Sequence, residues 1–437
     1  MTKDKNLKTT SDFYKERVST GQKVSMINLG CARNTVDSQT IVSNLKRKGH
    51  LISDLENADV AIVNTCAFID EAKKESIDMI ADLLELKKEG KLKKVIVAGC
   101  LAQRYHKELA KEFDGIDAII GAQKLDKNAI PSNTYLTPKH YAYVKISESC
   151  YNRCSFCIIP KIKGKFTSRT IESVVDEVRQ LDEQGVKEIN IIGQDITAYG
   201  MDLYHELSLA RLLKEIVKVT QNIQWIRLLY AFPAHVTDEL IDVMASEEKI
   251  CKYIDVPLQH ISDNLLLSMN RNITKQGTFD LMDKFRAKMP QGSLRTTFIV
   301  GMPGETEENF TELIQFVKDY RFEKVGTFLY SREEGTVAYD MADQVPDKIK
   351  RERMKQVMQI QQDISAEIQQ SYIGRTLKVL IDEKQNEEGF YIGRSEYDAP
   401  EVDGIVYVGS DKVLKPGDFI DVKISDAYEY DLVGEVV

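Results

Sequence analysis

Six of the seven cysteines fall into two groups of three, and this distribution constrains the fold more than any other feature. One group is a compact CxxxCxxC motif made of Cys150, Cys154 and Cys157. Three thiolates so close in sequence can ligate three irons of a cubane iron–sulfur cluster. The fourth iron then has no protein ligand, and an open metal position is typical of a catalytic site. Zinc is the alternative metal, although no fourth Cys or His follows Cys157 closely.

The second group of cysteines is dispersed, yet each member has an equivalent place in a predicted parallel sheet. Amphipathic helical stretches separate four strand-like apolar runs, at 24–27, 60–63, 95–98 and 118–120. Cys31, Cys66 and Cys100 each follow one of these strands within a few residues. Since the carboxyl ends of parallel strands share one edge of a sheet, the three thiols can converge there. Separate buried thiols are the alternative, and Cys251 is predicted to be one.

The middle of the chain repeats the alternation of strand and helix six times. The predicted strands are at 141–146, 188–192, 226–230, 253–256, 295–300 and 324–330. Six consecutive βα units predict an incomplete (β/α) barrel, with functional residues at the C-terminal ends of its strands. The CxxxCxxC motif follows the first strand, as a loop at the barrel mouth should. Gln194 and Asp195 follow the second strand, and Gln259 and His260 the fourth; they either face the mouth or form hydrogen bonds within their loops.

The C-terminal segment has a different pattern. A long polar helix from Pro346 to about Gln370 precedes short apolar runs separated by Gly, Asp, Asn and Pro, which predict a small antiparallel β-barrel of the oligonucleotide-binding shape. The predicted fold class is therefore α/β, with a parallel-sheet domain, an incomplete (β/α) barrel and a small antiparallel β-barrel. The predicted boundaries are a flexible tail at 1–22, then domains at 23–135, 136–369 and 370–437.

Charge is unevenly distributed along the 437 residues, whose formal net charge is −9. The segments 1–140, 141–374 and 375–437 carry +4, −5 and −8, respectively. An acidic C-terminal module disfavours a phosphate backbone and favours a basic partner. The alternative is a solvated acidic face that only aids solubility.

Composition and termini predict a cytoplasmic protein with reduced thiols. The chain is 43% apolar and 29% charged, which is typical of a soluble globular protein. Its first residues are polar and lysine-rich, unlike a secretory signal, and no apolar stretch approaches the ~18 residues of a membrane span. Cysteines in such a compartment are better metal or catalytic candidates than disulfide candidates.

Several short strings make the chain resemble a known family, the methylthiotransferases of the radical S-adenosylmethionine superfamily, and in particular their RimO branch. Besides the CxxxCxxC motif they are NLGCARN at 28–34, NTC at 64–66, CIIP at 157–160, SR at 168–169, DVPLQH at 255–260, RTTFIVG at 295–301 and YSREEG at 330–335. The resemblance extends from about residue 23 to the C-terminus. Two departures are Ser149, where the family usually has Gly, and Lys163, where it often has Arg; neither removes a ligand.

The resemblance implies two 4Fe–4S clusters and two molecules of S-adenosylmethionine. The CxxxCxxC cysteines would ligate the cluster that cleaves S-adenosylmethionine to a radical, with electrons from a separate donor. Independently of the resemblance, Phe156 is a candidate cofactor-binding residue because it lies inside the cluster loop, and Gln194 because it follows the second barrel strand; loop packing explains Phe156 equally well. Cys31, Cys66 and Cys100 would ligate an auxiliary cluster whose open iron carries the sulfur. The methylthio group would go to the β-carbon of an aspartate in small-subunit ribosomal protein twelve, bound by a TRAM-like C-terminal barrel.

Two other functions share parts of this pattern. A sister enzyme class methylthiolates adenosine in transfer RNA, and it would contain the same cysteines. A non-catalytic, metal-stabilised scaffold that binds ribosomes would instead contain coordinatively complete sites, most simply zinc. The acidic C-terminal segment favours the ribosomal protein as substrate, and no membrane partner is expected; contact with nucleic acid stays open.

Overall fold

The structure is a computed structural model, and it describes residues 21–122, 124–125, 134–385 and 389–437. The predicted N-terminal tail at 1–22 lies outside the described residues, apart from 21 and 22. The chain divides into two compact units. The N-terminal unit contains the described residues up to Leu136 together with Glu148–Cys150 and Ile158–Arg169, and the C-terminal unit contains Thr137–Ser147, Tyr151–Cys157 and Thr170–Val437.

The N-terminal unit is built on a five-stranded parallel sheet, as predicted. Its strands are β1 (Lys23–Asn28), β2 (Leu51–Ile52), β3 (Val60–Thr65), β4 (Lys94–Gly99) and β5 (Ala118–Ile120), in the order β2-β1-β3-β4-β5. Its helices are α1 (Ala32–Arg47), α2 (Asp70–Lys88), α3 (Cys100–Arg104), α4 (His106–Glu112) and α5 (Ile159–Lys163), with a 3-10 turn at Leu55–Asn57. Every residue of β3 is buried, as expected of a strand covered by helices on both faces.

A six-stranded parallel sheet forms the centre of the C-terminal unit, which confirms the predicted succession of βα units. The strands are β6 (Tyr141–Lys145), β9 (Glu188–Ile192), β10 (Trp225–Leu228), β11 (Ile250–Asp255), β12 (Ser293–Val300) and β13 (Lys324–Leu329), in sequential order across the sheet. Two short strands, β7 (Ser147–Glu148) and β8 (Thr167–Ser168), precede α6 in sequence. The helices are α6 (Ile171–Glu183), α7 (Leu209–Val219), α8 (Asp238–Ser246), α9 (Asp263–Ser268), α10 (Lys275–Lys288), α11 (Glu307–Tyr320) and α12 (Asp347–Gln370), with 3-10 turns at Pro233–His235 and Ala338–Asp340.

Side-chain caps fix where several of these helices begin. Thr170, Thr237 and Thr274 each accept a hydrogen bond from the backbone N–H three residues later, at the first turns of α6, α8 and α10. Thr306 and Asn309 form a reciprocal capping box at α11. Thr237 and Thr306 come after β10 and β12, so that these two caps also set where the loops at the C-terminal ends of those strands end.

The C-terminal segment closes into a five-stranded barrel in the order β14-β15-β16-β18-β17. The strands are β14 (Thr376–Lys384), β15 (Phe390–Ser395), β16 (Val406–Gly409), β17 (Phe419–Ala427) and β18 (Leu432–Val436). The predicted small barrel is confirmed, with one difference in detail. Strands β16 and β18 pair in parallel, because the chain crosses the barrel through β17 before it returns beside β16.

Buried ion pairs join this barrel to the six-stranded sheet within the C-terminal unit. Glu188, at the start of β9, lies 2.9 Å from Arg227 Nε and 2.8 Å from Arg394 Nη2, and all three side chains are almost fully buried. Burial alone would raise the pKa of Glu188, but the two guanidinium groups lower it. Arg394 also binds Asp382, which lies 2.7 Å from His140 Nε2. The barrel is therefore fastened to the amino ends of the strands, opposite the edge where ligands bind in such sheets.

No helix among the described residues is long and apolar enough to cross a membrane.

Candidate functional site

The dispersed cysteines lie at the carboxyl edge of the sheet in the N-terminal unit. Cys31 follows β1 and caps α1, Cys66 follows β3 directly, and Cys100 is the first residue of α3 after β4. All three are free thiols. Their strands β1, β3 and β4 are neighbours in the sheet, and their thiols affect one another: burial raises the pKa of Cys66, and the charge of Cys31 raises it further. Burial likewise raises the pKa of Cys100 to about 12, with contributions from Cys66 and Cys31. That the three cysteines share one cluster stays a prediction.

Cys31 differs from the other two thiols because it has its own donors. Burial alone would raise its pKa, but the Arg33 guanidinium and the backbone N–H groups of Asn34 and Arg33 lower it. The start of α1 therefore stabilises the thiolate form of Cys31. Three thiols at one edge of the sheet, one of them with a lowered pKa, are a donor set that fits an iron–sulfur cluster.

Gly30 makes the approach of Cys66 possible. Its φ is +91°, and a Cβ atom built there would lie 2.8 Å from Cys66 Cβ and 3.2 Å from Cys66 Sγ. A side chain at this position would therefore overlap the second cysteine as well as strain the backbone.

Two buried asparagines connect the loop after β1 to the end of β3. Asn34 Nδ2 donates to the carbonyl oxygens of Leu29 (2.8 Å) and Thr65 (3.2 Å). Asn64 Nδ2 donates to Asn34 O (3.0 Å) and to Ser38 Oγ (2.9 Å). These bonds satisfy backbone groups that leave the sheet edge, and they explain the strings NLGCARN and NTC as one interlocked structure.

A buried cation lies beside the dispersed cysteines. Lys163 Nζ is 3.0 Å from Asp37 Oδ2 and 3.3 Å from Glu148 Oε1, and all three side chains are at most 5% exposed. Burial opposes the charge, but the two carboxylates raise the pKa of Lys163, so that it stays protonated. Lys163 is also the strongest of the charges that lower the pKa of Cys100. The cation that the family resemblance implies at this position is thus retained as Lys.

Ser149, the other departure from the family pattern, adopts a left-handed backbone conformation. Its φ is 65°, a conformation in which Gly is the usual residue. The Ser149 hydroxyl donates a 2.7 Å hydrogen bond to Gly164 O, and the residue is fully buried. The hydrogen bond offsets part of the strain and explains how Ser is tolerated here.

In the C-terminal unit, backbone hydrogen bonds fix the CxxxCxxC segment from Tyr151 to Cys157. Cys157 N donates to Cys154 O (3.1 Å), and Ser155 N donates to Met269 O (3.0 Å). Ser155 O accepts from Ala338 N (2.9 Å). Cys150, Cys154 and Cys157 are partly exposed free thiols, as expected of ligands that must be reached by a substrate.

Phe156 packs into an apolar cluster of the C-terminal unit. Its neighbours there are Leu265, Met269, Met302, Tyr330 and Ala338. This is the loop-packing role that the sequence allowed for Phe156, and contact with a cofactor stays a prediction. Gln194 follows β9 and is partly buried, so that its cofactor-binding role also stays a prediction.

Asp195 anchors the CxxxCxxC segment. Its buried carboxylate accepts from Asn152 Nδ2 at 2.7 Å and from Thr197 Oγ1 at 2.6 Å, and it lies 2.9 Å from His235 Nδ1. Asp195 therefore has the structural role in loop hydrogen bonding that was one of its two interpretations. Asn152 and His235 were missed by sequence reasoning, because nothing local marks two residues that meet through a carboxylate on a third segment.

Arg271 is a further residue that the sequence did not reveal. Its Nη1 lies 3.6 Å from Cys154 Sγ, and its guanidinium carbon is 4.1 Å from the centre of the Phe232 ring. Its Nη2 donates to Pro257 O. Arg271 follows α9 by a few residues and is separated from Cys154 by 117 positions, so that no local pattern connects the two.

The other predicted mouth residues form part of the scaffold. Gln259 has a φ of 72° and forms a bridge to Phe298, and His260 Nδ1 accepts a hydrogen bond from Ser262 N. Burial lowers the pKa of His260 to about 3, so that it is neutral in the folded protein. Gln259 Oε1 and His260 Nε2 are buried and have no hydrogen-bond partner among the described residues, so that the structure does not decide between the two interpretations of these side chains.

The string GMPGE at 301–305 lacks the Lys-Ser/Thr of a phosphate loop, and the structure shows a turn there. Glu305 accepts from the backbone N–H groups of Gly301 (2.6 Å) and Met302 (3.2 Å). The same carboxylate lies 2.8 Å from Arg353 Nη1. The N–H groups that would bind a phosphate are thus occupied by the protein's own carboxylate.

No group of three His, Cys, Asp or Glu side chains suited to a single metal ion occurs in the part of the chain that the structure describes.

Three family models match the chain. They are described as Uncharacterized protein family UPF0004, over residues 23–121, Radical SAM superfamily, over 144–317, and TRAM domain, over 373–437. Among solved structures, the radical S-adenosylmethionine methyltransferase TsrM from Kitasatospora setae has a TM-score of 0.51 at 15% identity, covering 85% of this chain and 82% of that one. The cobalamin-dependent S-adenosylmethionine radical enzyme OxsB has a TM-score of 0.50 at 11% identity, covering 78% and 56%. These likenesses show a shared fold.

Relatives of known description match over almost the whole chain. Proteins of Thermoanaerobacter sp., Caldanaerobacter subterraneus subsp. tengcongensis and Clostridioides difficile are 47%, 49% and 44% identical. Each match covers 95% of this chain and at least 99% of the relative, and each relative is described as ribosomal protein uS12 methylthiotransferase RimO. Identity of this extent, together with a radical SAM match and a TRAM match in the expected order, shows that the chain is a radical SAM methylthiotransferase and belongs to the RimO family.

Proposed function

We propose that this enzyme methylthiolates the β-carbon of an aspartate in ribosomal protein uS12, using two 4Fe–4S clusters and two molecules of S-adenosylmethionine. The observation that carries the proposal is the position of Cys31, Cys66 and Cys100 after the neighbouring strands β1, β3 and β4, in a chain that also contains CxxxCxxC and matches RimO proteins over 95% of its length. When bound, the clusters would supply the electron that cleaves S-adenosylmethionine and the sulfur that is transferred.

Each cysteine group has a distinct task in this proposal. Cys150, Cys154 and Cys157 would hold the cluster that binds S-adenosylmethionine, and the dispersed cysteines would hold the auxiliary cluster. Asp195 would orient the CxxxCxxC segment through its hydrogen bond with Asn152. Phe156 and Gln194 are proposed to contact the cofactor. We place the reaction in the cytoplasm, with an external electron donor.

We propose that the closed barrel forms a separate domain at 370–437 and that this domain binds the substrate protein. Its outer face carries the exposed rings of Phe390 (48% exposed) and Tyr407 (39%), and Ile392 pairs with Tyr407 across the strands. The segment that contains these residues has a net charge of −8, and a basic polypeptide fits both properties. The ribosomal protein is such a partner.

One observation favours the sister activity on transfer RNA as the second candidate. Phe390 and Tyr407 lie on the second and third strands of the barrel, which is the face that binds oligonucleotides in barrels of this shape. Exposed aromatic rings there could stack on bases. The negative charge of the segment opposes this candidate, because it repels a phosphate backbone.

Mass spectrometry distinguishes the two substrates. Ribosomal protein uS12 and transfer RNA nucleosides are analysed from cells with and without the gene. We expect a methylthio adduct on uS12 that depends on the gene. A gene-dependent methylthio adduct on adenosine, together with unmodified uS12, would overturn the proposal that uS12 is the substrate but would leave the enzyme class unchanged.

Iron analysis tests the two clusters separately from the substrate. Anaerobically purified protein should contain about eight irons per chain, and about four after either cysteine triplet is changed to Ala. Stoichiometric zinc without sulfide would exclude radical chemistry and support the scaffold alternative.

A further inference from the structure

We propose that Arg271 raises the reduction potential of the cluster held by the CxxxCxxC motif, by donating an N–H···S hydrogen bond to Cys154. This inference rests on the proposed function, because it takes Cys154 as a cluster ligand. Hydrogen bonds to the sulfur ligands and nearby charge are among the factors that set the potential of such clusters.

The geometry of Arg271 is fixed by three contacts in the C-terminal unit. Nη1 is 3.6 Å from Cys154 Sγ, within the range of a hydrogen bond to sulfur. Nη2 donates to Pro257 O, and the guanidinium plane rests 4.1 Å from the ring centre of Phe232. A planar guanidinium held at two points in this way aims its remaining N–H groups in fixed directions.

The charge of Arg271 is not balanced by the protein. The residue is only 4% exposed, and it forms no ion pair with a carboxylate among the described residues. Its Nε is buried and has no hydrogen-bond partner among these residues. A buried charge with an unused donor is strongly unfavourable unless an anion is near. The anionic thiolates and cluster at Cys154 would supply that missing counter-charge.

The contrast with Arg353 shows that Arg271 is unusual. Arg353 is equally buried, but it lies 2.8 Å from the carboxylate of Glu305. Buried cations in this fold are thus normally balanced by carboxylates. The absence of one beside Arg271, within the described part of the chain, points to a ligand of negative charge on the side of Cys154.

The sign of the effect follows from electrostatics. Reduction adds one electron from the external donor to the cluster, and a cation in a low-dielectric site stabilises the more negative, reduced state. An N–H···S bond acts in the same direction, because it also strengthens as the sulfur gains negative charge. Arg271 therefore makes the cluster easier to reduce.

The test uses the full chain with Cys31, Cys66 and Cys100 changed to Ala, so that only the CxxxCxxC cluster contributes. Arg271→Met keeps much of the apolar stem and removes charge and donors, and Arg271→Lys keeps the charge. The matched control is Arg179→Met, an exposed arginine on α6 that pairs with Asp176. Iron per chain and the midpoint potential are measured, the latter by a redox titration followed by electron paramagnetic resonance.

We expect Arg271→Met to bind iron. The equilibrium constant for reducing its cluster should be about tenfold smaller than in the parent, which corresponds to a midpoint potential lower by 59 mV for one electron. Arg271→Lys should fall between Met and the parent, and Arg179→Met should match the parent. An unchanged potential in an iron-loaded Arg271→Met protein would overturn the inference. If Arg271→Met binds no iron, the midpoint potential of Arg271→Lys decides. A potential below that of the parent supports the inference, and a potential equal to that of the parent overturns it. If the parent protein, with Arg271 intact and the three dispersed cysteines changed to Ala, bound no iron, the proposed cluster ligands Cys150, Cys154 and Cys157 would be refuted instead.

Discussion

A single methyl group added at Gly30 should disable the site of the dispersed cysteines. Gly30→Ala places a Cβ 2.8 Å from Cys66 Cβ, and this atom cannot yield easily because it is attached directly to the backbone after β3. The left-handed φ of +91° adds a backbone penalty of about 1–2 kcal/mol. Overpacking of a tight contact adds roughly 1–3 kcal/mol, so that the total is about 2–5 kcal/mol.

Gly90→Ala is the matched control, because it isolates the backbone penalty. Gly90 has a φ of +76° in the same unit, and nothing lies within 4 Å of a Cβ built there. Both variants are made in a protein whose CxxxCxxC cysteines are Ala, so that bound iron reports the dispersed cysteines alone. Iron and sulfide per chain are measured after anaerobic reconstitution, and thermal unfolding is measured on the apoprotein.

The two variants should separate clearly. Gly90→Ala should lose about 1–2 kcal/mol of stability and retain about four irons per chain. Gly30→Ala should lose more stability and most of the iron, since Cys66 must move away from the site. If Gly30→Ala held the same iron as Gly90→Ala and unfolded at the same temperature, the close approach of Cys66 to Gly30 would be refuted.

Three further changes test the scaffold around the sites. Ser149→Ala keeps the backbone strain and loses a buried hydrogen bond, so its thermal stability should fall by about 1–2 kcal/mol, whereas Ser149→Gly, which also relieves strain, should be nearly neutral. Glu188→Gln leaves Arg227 buried without a carboxylate, whereas Arg394 keeps its ion pair with Asp382, and thermal unfolding should show a loss of about 3–5 kcal/mol. His260 has its pKa lowered to about 3 by burial, and the unfolded chain therefore gains a proton below about pH 6.5 that the folded protein does not. Stability should then fall as the pH drops from 6.5 towards 3, by about 2 kcal/mol at pH 5, and His260→Gln should flatten this dependence in denaturant titrations.

Different results would contradict each of these expectations. Equal stability of the Ala and Gly variants at position 149 would show that the left-handed conformation is not strained. An unfolding temperature unchanged by Glu188→Gln would mean that Arg227 finds another partner. A pH dependence that survives His260→Gln would have to come from another group.

The sequence predicted the sheets because their strands are buried and carry a strong apolar signal. Strand β3 is apolar or buried at every position and was located at 60–63 within the observed Val60–Thr65. Strand β2, Leu51–Ile52, was not predicted, since two residues at the edge of a sheet carry no periodicity. The parallel pairing of β16 with β18 was also missed, because a strand's direction depends on where its neighbours lie and not on its own residues.

The cysteine groups were predicted for a related reason. A CxxxCxxC spacing is a signal within one short segment. Cysteines at the ends of several strands are also recognisable locally, because the carboxyl ends of parallel strands lie at the same edge of the sheet. Arg271, Asn152 and His235 have no such signal, since each is placed by a partner far away in sequence. Ser149 shows a third kind of limit, because a serine gives no indication that its φ will be positive.

The charge of the C-terminal segment needs a finer interpretation than its net value of −8 gives. Among the described residues, five of its carboxylates contact the six-stranded sheet or the residue just before β6 and are therefore not available to a partner: Asp382, Glu396, Asp398, Glu401 and Asp403. Asp398, for example, lies 2.6 Å from Lys324 Nζ, and Asp403 lies 3.3 Å from Arg295 Nε. Part of the acidity thus fastens the barrel to the sheet.

What remains exposed still favours a basic partner. The residues that face solvent on β16–β18 and the turns between them include the carboxylates Asp411, Asp421, Asp426, Glu429 and Glu435. They lie in the same small barrel as the exposed ring of Tyr407, so that apolar contact and charge attraction could act on the same partner. The affinity of the full-length enzyme for a basic uS12 segment should therefore fall as the salt concentration rises. It should not fall to zero, because the apolar contacts are not screened by salt. Affinity that is insensitive to salt would show that the surface carboxylates serve solubility alone.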